Sequence, residues 1–294
     1  MISIPRYPDS RELDLGDKEL FDPLLADFQP RISELTFANL YLFRKAHSYS
    51  VSRLGEAVIV RGRGYGGDEY VLPPLGADRR GGLKALLDEG VAVYGVDERM
   101  LAEELVYEGL EPVEDRDDFD YLYLRSDLAE LPGNRFHKKK NRINYFLNRH
   151  ECKIERYTAS FAEGCGRLLQ EWRRVRQEVE SPSFIMEVEA AMEALQLAER
   201  LRLEGVVALV GGEVKGFALG EQLSRDTSVC HFEKADPFLE GLYQLVNREF
   251  CRLLFTHCTF VNREQDLGEQ NLREAKLSYH PVELVKKYKV RKRR

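Results

Sequence analysis

Apolar and polar positions alternate or fall on helical stripes along most of the chain, and the two periods divide it into elements. The spacing in RISELTFANLYLFRK predicts a helix over 31–45. Val, Ile and Tyr then alternate between Gly-rich turns, which predicts strands at 50–54, 57–62 and 68–73. A helix at 79–89, a strand at 91–95, a helix at 97–107 and strands at 109–113 and 119–125 complete the first half. After a basic helix at 134–150, Ser160 and Glu163 stand in capping-box spacing and open a helix through 178. SPSF breaks it before a second helix at 187–203. Strands follow at 205–210, 214–223 and 227–234, the first two joined by Gly211-Gly212, a hairpin signal. Asp236-Pro237 is expected to start a helix to 255, with Phe238, Leu242, Leu245, Val246, Phe250 and Leu253 on one stripe. A strand at 258–262, a helix at 268–277 and a strand at 283–290 close the chain.

Both halves thus share the order helix, three antiparallel strands, helix, strand, helix, strand. That order predicts an α/β or α+β class, a mixed sheet with helices on both faces, repeated as two similar domains without sequence repetition. The expected boundaries are 1–132 and 151–294, with 133–150 as a connecting helix.

Composition narrows the class. With 43% hydrophobic and 32% charged residues in 294, the chain is globular in type rather than disordered or collagen-like. No apolar run approaches the roughly 18 residues of a spanning helix, and MISIPRYPDSRELDL lacks a basic-then-apolar signal pattern. A cytoplasmic protein is expected. Cys152, Cys165, Cys230, Cys251 and Cys258 form no C-x-x-C pair and are expected as reduced, mostly buried thiols. His231, His257 and Cys258 match no ligand spacing, so no metal is expected. GRGYGG fits a dinucleotide fingerprint only literally, because a strand, not a helix, follows it; a hairpin turn is the expectation.

The net charge of −6 conceals a pattern. RFHKKKNRINYFLNRH (135–150) and KKYKVRKRR (286–294) contain no acidic residue, whereas the rest of the chain is acidic. Dense like charge suits a polyanionic partner. On the basic helix Lys138, Asn141, Arg142, Tyr145 and Arg149 share a face suited to phosphates and a stacking base, opposite Phe136, Ile143, Phe146 and Leu147. Lys139 lies beside the apolar arc, where it must snorkel to the rim or meet an anion. HFEKADP (231–237) and VNREQDLGEQNLREAKLSYHP (261–281) place charged residues at strand ends, where α/β proteins bind ligands. Glu233 and Lys234 there point to opposite faces of their strand.

The stretches ELTFANLYLFR, FHKKKNRINYF, HFEKADPFLEGLYQLVN and NREQDLGEQNLREAKLSYHP resemble a bacterial family related to the C-terminal domain of phosphatidylglycerol lysyltransferase. The resemblance implies two tandem acyl-CoA N-acyltransferase-like (GNAT) domains, akin to the Fem-type aminoacyltransferases. It implies, first, an acyltransferase with aminoacyl-tRNA as donor and an amine or hydroxyl of a small molecule, peptide or lipid as acceptor, with no tightly bound cofactor. GNAT proteins hold coenzyme A pyrophosphate on backbone N–H groups before the central helix. Here that position reads Ala235-Asp236-Pro237-Phe238-Leu239-Glu240-Gly241, with a proline lacking an N–H and two carboxylates, which disfavours acyl-CoA as donor. An acyl-CoA-dependent N-acyltransferase is the second reading. The third is a noncatalytic protein that binds RNA, or an anionic membrane through the basic tail. Under the first reading Glu233, Asp236 and Asp266 are candidate proton acceptors, although a helix cap accounts better for Asp236. Lys234, Asn262 and Arg263 are candidates for orientation or charge stabilisation. Lys138, Lys139, Arg142, Arg273 and Lys276 are candidate phosphate contacts, with Tyr145 and Tyr279 as aromatic neighbours.

Overall fold

The computed structural model describes residues 3–106, 108–175 and 182–293. Their strands are β1 (Arg11–Glu12), β2 (Ser50–Leu54), β3 (Ala57–Arg63), β4 (Glu69–Val71), β5 (Val93–Val96), β6 (Leu110–Glu114), β7 (Asp120–Leu124), β8 (Cys152–Arg156), β9 (Glu204–Val210), β10 (Glu213–Gln222), β11 (Thr227–Ala235), β12 (Phe260–Asn262), β13 (Glu283–Val285) and β14 (Tyr288–Lys292). Among the described residues they form two mixed sheets, ordered β1-β2-β3-β4-β5-β14-β6 and β13-β7-β12-β11-β10-β9-β8. Each sheet runs as an antiparallel meander into one parallel pair, β4 with β5 and β11 with β12. The α/β class and the repeated element order follow the hydrophobic pattern.

The chain divides into two compact units, and the division is not linear. One comprises residues through Asp120 with Gln265–Gln270 and Leu284 onward; the other comprises Tyr121–Glu264 and Asn271–Glu283. The basic helix, expected as a connector, is His137–Leu147 and lies inside the second unit. β7 pairs antiparallel with β12 in the second sheet, whereas β14 returns to the first sheet and pairs with both β5 and β6. Periodicity reveals which side chains face a sheet, but not to which sheet a strand belongs.

The basic C-terminal run leads into this returning strand, β14, and is not the free tail envisaged for a membrane surface. Lys287 is fully buried, Lys289 pairs with Asp68, and Lys292 lies 2.9 Å from Asp88. The expected single strand over 283–290 is interrupted at Lys286-Lys287, where the buried ammonium turns into the first unit.

Several element edges also differ. The helix expected over 31–45 shrinks to Phe37–Leu42, capped by Thr36, whose Oγ1 accepts the Asn39 N–H at 3.0 Å. Its upstream part is drawn out because Ser33 and Glu34 are buried on Asp120 and Lys287. A helix at Lys18–Phe28 was not expected. Ser160 and Glu163 form no capping box: Ser160 pairs with Thr158, and Glu163 with Arg167. That helix is Ala162–Val175; the predicted continuation to 178, and the first residue of the SPSF break, lie outside the described residues. The hairpin signals hold. Gly211 and Gly212 adopt φ of 60° and 81° between β9 and β10, and Gly64–Asp68 turns β3 into β4. The cysteines are free, four of them buried, and burial pushes the Cys165 and Cys251 thiols up to about 12. No described helix is long and apolar enough to cross a membrane.

Candidate active site

In the second unit β11 and β12 run parallel for three residue pairs, Thr227–Val229 against Phe260–Asn262. β12 then ends, while β11 continues to Ala235, paired among the described residues only with β10. Crevices of this kind, beyond the carboxyl ends of parallel strands, are where α/β sheets admit ligands. Asn262 shapes the exit of β12 by accepting the Glu264 N–H on Oδ1 at 2.7 Å. Glu264 takes a left-handed φ of 56°, and Lys276 Nζ donates to the carbonyls of Arg263 and Glu264 at 2.7 and 3.0 Å. Asn262 and Lys276 therefore build the turn rather than offer free groups to a ligand.

The turn delivers Arg263 to Glu233. Its Nη2 lies 3.3 and 3.2 Å from the two Glu233 oxygens, and Asn247 Nδ2 donates to Glu233 Oε2 at 2.9 Å. The guanidinium sits over the rings of Tyr279 and Tyr123 at 5.0 and 5.7 Å. Burial opposes its charge, but the Glu233 carboxylate, joined by Tyr123, Tyr279 and Cys230, raises the Arg263 pKa on balance. Two buried polar atoms here, Arg263 Nη1 and Asn247 Oδ1, have no hydrogen-bond partner among the described residues. A group with one acceptor and one donor would satisfy both.

Lys139 completes the cluster. Its half-exposed side chain meets no anion among the described residues; the ammonium lies 4.0 Å from the Tyr279 ring centroid and donates to Ser278 Oγ at 2.6 Å. Burial, then the charges of Arg263 and Arg142, push its pKa down to about 8 against the opposing pull of Glu233.

The remaining candidates are dispersed. Lys234, on the opposite face of β11, donates to Glu187 Oε1 at 2.6 Å and covers the Trp172 ring at 4.3 Å. Asp236 Oδ1 accepts the Phe238 N–H at 3.0 Å within a turn, so it caps no helix. Asp266 belongs to the first unit, fully buried against Arg116 and the Gly268 N–H. Lys138, Arg142 and Tyr145 occupy the exposed face of His137–Leu147, and Arg273 is half-buried on the helix Gln270–Leu277. Leu147, assigned to the apolar face, is 42% exposed.

Sequence reasoning set His231 aside as a metal ligand and gave it no place among the site residues. Its ring is clamped between Glu264 at 2.8 Å and Glu221 at 3.0 Å. Burial works against its charge, but the two carboxylates raise its pKa to about 10. Strand alternation gave no signal for it, because the β10–β11 register shifts at His231, between the pairs Leu219–Phe232 and Gly220–Cys230.

The approach to the crevice departs from the predicted helix start. The central helix is Leu242–Leu253, and Phe238, expected on its buried stripe, is 78% exposed. Along the preceding turn the N–H groups of Asp236, Leu239 and Leu242 bond to backbone carbonyls, that of Phe238 bonds to Asp236, and Pro237 has none. Gly241 stands at φ 96°, so close to the basic helix that a Cβ there would lie 2.1 Å from the Arg142 carbonyl oxygen.

Comparison with known proteins agrees with this architecture. The family model described as phosphatidylglycerol lysyltransferase, C-terminal, matches residues 25–291. A conserved protein of unknown function from Bacteroides thetaiotaomicron is 30% identical, with a TM-score of 0.87 over 96% of this chain and 98% of that one. The C-terminal domain of a putative lysylphosphatidylglycerol synthetase from Agrobacterium fabrum has the same fold, with TM-score 0.65 and 14% identity over 93% of this chain and 91% of that chain. FemX also shares it, at 0.58 and 9% over 96% of each. An uncharacterised protein of Mycoplasmoides gallisepticum is 22% identical over 58% of this chain, and the match spans 56% of that relative's length.

Proposed function

We propose, from the premise that the chain belongs to the family of phosphatidylglycerol lysyltransferase C-terminal domains, that it transfers an aminoacyl group from aminoacyl-tRNA to an amine or hydroxyl acceptor. Family and fold both point to an acyltransferase. The donor is the inferred part, and the turn Asp236–Leu242 carries it. A coenzyme A pyrophosphate needs unpaired backbone N–H groups at the start of the central helix. Here four of the turn's N–H groups are already bonded and a fifth position is proline. Against that turn packs a helix whose exposed face presents Lys138, Arg142 and Tyr145. Cations flanking an aromatic suit a single-stranded acceptor end, whose phosphates and bases they meet in turn.

Aminolysis of an activated ester is intrinsically easy, so the protein supplies position and charge. In this reading the aminoacyl ester lies in the crevice between the ends of β11 and β12. The unpaired Arg263 N–H faces the oxyanion that forms there, and the unpaired Asn247 oxygen, beside Glu233, receives the α-ammonium. The test incubates the purified protein with labelled aminoacyl-tRNA or acetyl-CoA and a panel of amines, and follows loss of each ester. Loss of the aminoacyl ester alone is expected. Loss of acetyl-CoA alone would overturn the donor assignment. Binding of RNA or anionic vesicles without consumption of either would leave a noncatalytic binding protein in its place.

A further inference from the structure

We propose that Lys139 Nζ, held on the face of Tyr279 beside Arg263, accepts the proton of the attacking amine or hydroxyl and returns it to the ribose oxygen that leaves. The assignment rests on the aminoacyl-transfer reading above and deepens it. None of the three carboxylates that the sequence nominates is free to act. Glu233 is held by Arg263 and Asn247, Asp236 by its own turn and by Lys215 at 3.9 Å, and Asp266 by Arg116 and Gly268. A carboxylate fixed in an ion pair is a poor proton acceptor, because protonating it strands the cation.

Lys139 is differently placed. The Ser278 hydroxyl donates to the Ala275 carbonyl at 2.6 Å and therefore receives from Lys139, leaving the lone pair of a neutral amine available. The groups acting on Lys139 are Arg263 beyond β12, Glu233 on β11, Ser278 and Tyr279 after the helix Gln270–Leu277, and Arg142 on its own helix. Partial burial and the neighbouring cations destabilise the ammonium, and its pKa of about 8 leaves roughly a tenth of it neutral at pH 7. A base serves best when its pKa lies near the working pH.

The step balances. The acceptor nitrogen or oxygen bonds to the ester carbonyl carbon while its proton passes to Nζ. The carbon–oxygen bond to the ribose then breaks, and Nζ–H gives that proton to the leaving oxygen. No electron is gained or lost, and Lys139 is regenerated.

Two measurements test this on the whole chain, with Lys139→Arg and Lys139→Met checked for folding by circular dichroism. The first is an NMR titration of protein labelled with ε-13C-lysine. One signal is expected to titrate near pH 8 and to be missing in Lys139→Arg; if every lysine titrates near the ordinary 10.5 or so, the assignment is overturned. The second is single-turnover transfer from aminoacyl-tRNA across pH 6.5–9. The wild-type rate is expected to rise and level off above about 8. Lys139→Arg, which keeps the cation but cannot act as a base, should lower it about 100-fold with tRNA binding unchanged. A Lys139→Arg rate within about threefold of wild type overturns the role even if the NMR titration holds. A wild-type chain that consumes no aminoacyl ester overturns the parent reading and the role together, whatever the titration shows, so the two failures are distinguishable.

Discussion

His231 keeps its charge inside the protein because Glu221 and Glu264 each bond one ring nitrogen, and this ties stability to pH with a definite sign. A histidine whose folded pKa of about 10 exceeds its unfolded value near 6.5 contributes stability that is complete below pH 6.5. That contribution drains away as pH rises toward 10. Relative to His231→Gln, the wild type should therefore be more stable at pH 6 and converge on the variant by pH 10; urea unfolding at a series of pH values measures it. A difference that stays flat across that range would mean the imidazole is neutral. At this scale the sequence was informative about chemistry and silent about partners. HFEKADP singled out Glu233, which Arg263 and Asn247 engage, and strand alternation separated it from Lys234 correctly. Lys276 read as a phosphate contact and Asp236 as a proton acceptor or, better, a helix cap, because the carbonyls and N–H that engage them are fixed only by the folded turn. His231 was passed over because its two carboxylates lie 10 and 33 residues away.

The helix Leu242–Leu253 shows why element existence was easier to read than element edges. Leu242, Leu245, Val246 and Phe250 are buried as the stripe requires. Asp236-Pro237, however, forms a separate turn, since the Asp236 carboxylate bonds the Phe238 N–H and the chain enters the helix through left-handed Gly241. A cap-and-proline signal is equally the signal of a tight turn, and only packing against the basic helix decides between them. Gly241→Ala should accordingly be costly, combining a left-handed strain of about 1–2 kcal/mol with a clash on the Arg142 carbonyl that forces the two helices apart. Gly212→Ala is the control: its φ of 81° carries the strain, but nothing lies within 4 Å of the added carbon. Thermal unfolding should show a drop several degrees larger for Gly241→Ala, and in the proposed reaction that variant should also lose tRNA affinity, because the face carrying Lys138 and Arg142 moves. Equal losses in the two variants would remove the close packing of turn and helix as the reason for the glycine.

At the scale of the whole chain, the returning strand β14 is fastened by a charge that sequence reading assigned to a basic segment suited to a polyanionic partner. Lys287 Nζ lies 2.7 Å from Glu34 Oε1 and 2.8 Å from Asp120 Oδ1, and Ser33 donates to Asp120 through its N–H and hydroxyl at 2.8 and 3.1 Å. One ammonium thus joins the N-terminal loop, the start of β7 and the entry to β14 within the first unit. A run of seven cations signals a polyanion partner as readily as a strand, and nothing local distinguishes the one that is buried. Burial, with Asp120 adding and Lys287 opposing, raises the Glu34 pKa to about 7. An acid raised in the folded state contributes stability that is complete below its unfolded pKa near 4.5 and is lost as pH climbs through 7. Lys287→Met leaves Glu34 and Asp120 buried with no cation, so it should cost about 3–5 kcal/mol at pH 7.5 and much less at pH 5, where Glu34 takes a proton. Glu34→Gln in the same background should recover part of the loss at pH 7.5 and little at pH 5. Chemical denaturation of the two variants and wild type at both pH values decides the matter: a Lys287→Met penalty independent of pH would show that the carboxylates are not what the ammonium neutralises.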